Sequence, residues 1–174
     1  MRRTDVAVGL RHFDILLRTT PAAAQEVMPQ LTMAAMAPDG RAALRPYMRA
    51  NNPWLSQFLA VAVDRLPRAA PLGMLLTEPG VSLPDTEMAR TAYAVLTKRL
   101  AVENAYGIFN RLYPRLPGAS AASLAQLNLA AQSGNDRGYA PAIWDFGEGS
   151  DRGGTPVQLD KDSVGIEFSQ HRGR

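Results

Sequence analysis

The chain of 174 residues has no cysteine, two histidines and only two lysines, Lys98 and Lys161. Without cysteine there is neither a disulfide framework nor a thiolate metal site. His12 and His171 stand far apart, and neither belongs to a spaced ligand set such as H-E-x-x-H. No apolar run approaches the roughly 20 residues needed to cross a bilayer. Asp5, Arg11, His12 and Asp14 interrupt every candidate signal-peptide core. The chain therefore reads as soluble, and as envelope-associated if it is a piece of a longer protein. The serine-nucleophile patterns G-x-S-x-G and S-x-x-K are absent as well. Gly147-Glu148-Gly149 neither follows a strand nor opens a helix, as a dinucleotide loop would. No cofactor is expected, and the chain reads as no enzyme.

What is present is core-forming material, 46% hydrophobic and 20% charged. Nearly all 19 basic residues are arginine, and alanine is abundant, a bias of GC-rich genomes that weakens any reading of the high pI. Residues 1–133 carry 14 basic and 9 acidic side chains, and residues 134–174 carry 5 and 7. The asymmetry suggests two units: a helical domain over 1–133, and a Gly-rich segment with short strands over 134–174.

Helical spacing dominates the first unit. Val6, Leu10, Phe13 and Leu17 make one stripe of a helix over 4–18. Thr20-Pro21 restarts the chain into a helix over 21–36, which Pro29 should kink or split. Residues 37–40, Ala-Pro-Asp-Gly, read as a turn. Helices are then expected over 41–49, 54–66, 67–78, 85–100, 101–113 and 120–132, with Asp85 opening the sixth. Trp54, Leu55, Phe58, Leu59, Val61 and Ala62 make the fourth apolar over most of its circumference. After Ser133 the helical period disappears, and strand character appears at 142–144, 155–159 and 163–169.

Two stretches share a spacing. Gly9, Phe13, Leu16 and Pro21 repeat as Ala105, Phe109, Leu112 and Pro117. The second set follows a helix with Ala89, Ala92, Tyr93 and Leu96 at matching places. This resembles the tetratricopeptide repeat, in degenerate form, with the region between the two copies keeping no 34-residue period. The resemblance implies a mainly α fold of stacked antiparallel helix pairs, an α-solenoid, with a short C-terminal β segment. Tyr93, Phe109 and Leu112 would be the packing centre of one intact pair. The small residue would let helices approach, and the proline would stop the helix. More loosely, the Trp-Asp-Phe segment and strands resemble the tails of bacterial helical-repeat proteins whose end is β-sandwich-like. That likeness implies a truncated β domain and an upstream partner for the first helix. With an open edge at 164–168, the isolated chain is expected to be marginal or self-associating.

The candidate contact residues are few. Arg41, Arg45 and Arg49, at i, i+4 and i+8, would line one helical face able to meet an anionic partner. No dense patch with interleaved aromatics accompanies them, so no specific nucleic acid is expected and a solvated face is the plainer reading. Trp144 with Phe146 could stack on a sugar, although a core anchor is the plainer reading. Glu87 and Glu103 fall at ordinary solvent-facing places. Asp145, Glu148, Asp151, Asp160 and Asp162 lack the spacing of a calcium loop. The expected partner is a protein or peptide held on the concave face of a non-catalytic repeat scaffold. The alternative is a cell-envelope or polysaccharide-associated protein whose β part binds glycan.

Overall fold

The computed structural model describes the backbone of residues 3–119, 138–142, 152–158 and 164–170. Two compact units, Met1–Pro117 and Gly118–Arg174, divide the chain. The first is helical, with seven α-helices among the described residues: α1 (Arg3–Thr19), α2 (Ala24–Met36), α3 (Pro38–Leu44), α4 (Leu55–Arg65), α5 (Ala70–Thr77), α6 (Glu87–Val102) and α7 (Tyr106–Leu112).

Local chemistry sets the ends of these helices. Thr20-Pro21 restarts the chain in a 3-10 turn that leads into α2, with Pro21 at its first position. α2 then continues through Pro29 as one helix, so of the expected kink or split the split is not made. Pro29 removes the N–H that would meet the Gln25 carbonyl, but Gln25 is exposed, so water can serve that oxygen. The segment expected as a turn at 37–40 is instead the start of α3. Pro38 occupies the first helical turn, where its missing N–H costs nothing. Gly40 is there because a side chain would overlap the Ala34 carbonyl. α6 is capped by Thr86, whose Oγ1 accepts from the Ala89 N–H at 3.2 Å, so the start lies past Asp85.

The junction of α6 and α7 also differs from expectation. α6 continues to Val102, and Asn104 takes the left-handed conformation, φ +55°. The Ala105 N–H reaches back to the Leu100 carbonyl at 2.8 Å and the Asn104 N–H to Ala101 at 3.0 Å. That is a Schellman closure with Asn in the place usually held by glycine. Ala105 thus lies ahead of α7 and not within it.

The core runs through the middle of the unit. Val27, Met28, Leu31 and Ala35 of α2 are buried, as are Leu55, Phe58, Leu59 and Ala62 of α4. Leu72, Leu75 and Leu76 of α5 and Tyr93, Leu96 and Leu100 of α6 complete it. The Tyr93 hydroxyl donates to the Pro84 carbonyl at 3.1 Å, which satisfies its one buried polar atom. Phe109 lies 5.3 Å from the Tyr113 ring, and both are buried with Leu112.

Packing follows an alternating order. α4 packs chiefly on α6 and α2, α5 packs on α7, and α1 packs on α3. Ser56 at the start of α4 meets Thr86 at the start of α6, with the hydroxyls 2.9 Å apart. Arg99 near the end of α6 meets the end of α4 at the Val63 and Leu66 carbonyls. The two helices therefore run parallel. So do α5 and α7, because Arg115 after α7 reaches the Glu78 and Val81 carbonyls after α5.

The first copy of the repeat spacing does not act as the resemblance implied. Nothing lies within 4 Å of a side chain built on Gly9, and Leu16 is 39% exposed. The close helix approach is made by Gly73, where a Cβ would strike Ile108 and crowd Leu100.

In the second unit, β1 (Arg152–Gln158) and β2 (Val164–Gln170) pair antiparallel, with Thr155 opposite Glu167. Two strands do not make a sandwich. Ala142, the described residue of the run at 142–144, lies in a bend. The helix expected over 120–132 and the boundary expected at 133 lie outside the described residues.

Candidate functional site

α4 and α6 are amphipathic, and their parallel packing leaves a groove along one side. Its volume is about 820 Å³. α4 contributes Ala60, Val63 and Asp64; α6 contributes Met88, Ala92 and Val95, with Glu87 and Thr91 near one end and Arg99 near the other. Met88 is 51% and Val95 40% exposed, so α6 shows solvent an apolar stripe at helical spacing. The carboxylates of Asp64 and Glu87 have no hydrogen-bond or ion-pair partner among the described residues. An apolar floor flanked by two unpaired carboxylates suits an amphipathic, positively charged segment.

Arg99 holds the far end of this groove. Its guanidinium donates to the Leu66 carbonyl at 2.6 Å and to that of Val63, which satisfies the C-terminal end of α4. One turn later Glu103 accepts from the Ala69 and Ala70 N–H groups at 2.6 and 3.1 Å, at the start of α5. The cation sits at the negative end of one helix and the anion at the positive end of the next. Glu103 is thus a buried-side cap and not the solvent-facing residue expected. It also lies 16 positions from Glu87 along α6, roughly 24 Å at 1.5 Å per residue, too far for a glycosidase pair.

The three arginines singled out from sequence do not share a face. α3 ends at Leu44, a 3-10 turn takes Arg45–Tyr47, and Arg49 follows outside any helix. Arg41 is turned inward and donates to the Ala35 and Met36 carbonyls at 3.1 and 2.9 Å, closing α2. Arg45 pairs with Glu78 at 3.6 Å, both half exposed. Arg49 is exposed. A proline within the expected helix, at position 46, is the signal that could have warned of this break.

A smaller groove of about 420 Å³ lies among α1, α2 and α3, lined in part by Gly9, Phe13, Gln30 and Asp39. His12 is exposed on α1. No group of three potential metal ligands exists among the described residues. No helix among them is long and apolar enough to cross a membrane. Trp144, Phe146, His171 and the acidic residues 145, 148, 151, 160 and 162 lie outside the described residues. The chain matches no protein-family model, no curated protein and no solved structure.

Proposed function

We propose that the helical unit is a non-catalytic interaction module, a short helical-repeat stack whose α4–α6 groove holds a segment of a protein or peptide. The groove carries this reading. It presents half-exposed Met88 and Val95 beside Asp64 and Glu87, whose carboxylates have no partner among the described residues, a combination that a folded chain has no internal need for.

The repeat element of the proposal rests on spacing. Side-chain hydrogen bonds between the consecutive helices α4 and α5 and the consecutive helices α6 and α7 join residues 30 to 37 positions apart. A tetratricopeptide unit is about 34 residues long. Ala37, Ala69 and Ala105 each precede a short helix that follows a longer one in sequence, which extends the same reading to α2 and α3. The period is carried by tertiary contacts where the residue signature has decayed.

Selection from a library of helical peptides, followed by binding to the purified chain, tests the reading. Groove ligands are expected to lose about tenfold in affinity, about 1.4 kcal/mol, on Val95→Arg. Met33→Arg, which alters a 66% exposed residue that does not line the groove, should leave them unchanged. A selection that yields no peptide sensitive to Val95→Arg would sink the proposal. The carbohydrate alternative depends on Trp144 and its surroundings, and no described residue favours it.

A further inference from the structure

α1 has the complementary character to the groove. Val8 and Ile15 are each 50% exposed and Leu16 is 39% exposed. Positions 8 and 15 are two turns apart and share one outward face, with Leu16 at its margin. Between them lie exposed Arg11 and His12. Arg11 makes no hydrogen bond or ion pair among the described residues. The other basic residue of that flank, Arg18, is already engaged by Asp14 at 2.9 Å.

We propose that the groove's occupant is a second copy of this chain: α1 of one protomer lies in the α4–α6 groove of its neighbour. This rests on the reading of the groove as a docking surface. Val8 and Ile15 face Met88 and Val95, and Arg11 falls between Asp64, at the Arg99 end of the groove, and Glu87, at the other end, in the field of both carboxylates. Charge selects the occupant. Among the described residues both groove carboxylates lack partners, and so does Arg11, set within an exposed apolar helical stripe. The two surfaces are different, so the contact is either made twice across a two-fold axis, as an isologous dimer, or made once per pair, head to tail, and propagates.

Sedimentation equilibrium of the full chain, over a range of concentrations and salt, tests this. The average mass is expected to rise with concentration and to fall as salt screens the contact. Arg11→Glu should weaken association about tenfold, and so should Asp64→Arg with Glu87→Arg. All three changes in one chain should restore it to within about threefold, because each charge again meets its opposite. These side chains are exposed, and an unchanged circular dichroism melt shows that the variants fold. Ile15→Glu supplies a second break on the apolar side. A mass that stays monomeric at every concentration overturns the proposal. So does association indifferent to Arg11→Glu, or left unrestored by the combined exchange. A monomeric chain that still binds groove-dependent peptides would remove the second copy as occupant and leave the docking reading standing; loss of both would remove both.

Discussion

Arg99 and Glu103, one turn apart on α6, hold opposite ends of the same corner: Arg99 closes the end of α4 and Glu103 opens the start of α5. Their own charges lie 3.8 Å apart. That is long beside the 2.6–3.1 Å of their bonds to backbone, which therefore matter more than the ion pair itself.

Glu103→Gln keeps one acceptor and loses the charge and the second oxygen, whereas Glu103→Ala leaves two backbone N–H groups at the start of α5 without a partner. Glu103→Ala should cost about 1–3 kcal/mol and Glu103→Gln less. Arg99→Met, which keeps the packing of the stem, should fall in the same range. Urea unfolding of both singles and the double is expected to give non-additive losses, because one corner is disrupted in each.

Gly73 and Ile108 are a second pair across the stack. Gly73→Ala should destabilise by about 1–3 kcal/mol, since a new methyl strikes the Ile108 side chain. Ile108→Ala in the same chain should recover part of that loss. Gly40→Ala should be worse than Gly73→Ala and resist rescue, because its obstacle is the Ala34 backbone. Thermal melts of the three variants check the order.

Thr32 is 2% exposed and its hydroxyl has no hydrogen-bond partner among the described residues. Thr32→Val keeps the shape and removes the stranded polar atom. It should leave stability unchanged or raise it, by up to about 1–3 kcal/mol. A clear loss in a denaturant titration would show that the hydroxyl has a partner after all.

Much of the helical layout was legible in the residues. The 3-4 spacing of Val6, Leu10, Phe13 and Leu17 marks α1, and the apolar circumference of the stretch from Trp54 marks the buried α4. The misread pieces are those where one residue type serves two geometries. Pro38-Asp39-Gly40 is turn chemistry by composition, yet it opens a helix because Pro38 suits a first turn and Gly40 must clear Ala34. Asn104 ends α6 in a conformation that a β-turn or a strand end would also allow.

The groove and its corner were not legible. Glu103 reads as an ordinary solvent-facing residue, and the backbone partners of Arg99 and Glu103 lie 33 and 34 residues away. Trp54 shows the same limit: its indole N–H donates to Asp14 at 2.9 Å, across 40 residues. Side-chain bonds of that reach follow from the stacking order, which no local window contains.

That packing order, with α4 and α6 parallel and α5 between them in sequence, is what creates the groove. The absence of cysteine allows a direct test. Ser56 and Thr86 bring their hydroxyls within 2.9 Å at the starts of the two helices, 30 residues apart in sequence. Ser56→Cys with Thr86→Cys places two thiols where a disulfide can close. Mild oxidation is predicted to give one intramolecular cross-link, seen by intact mass, and to stabilise the helical unit by about 3–4 kcal/mol. Thiols that stay reduced, or that link only between molecules, would contradict the parallel stack and the groove built on it.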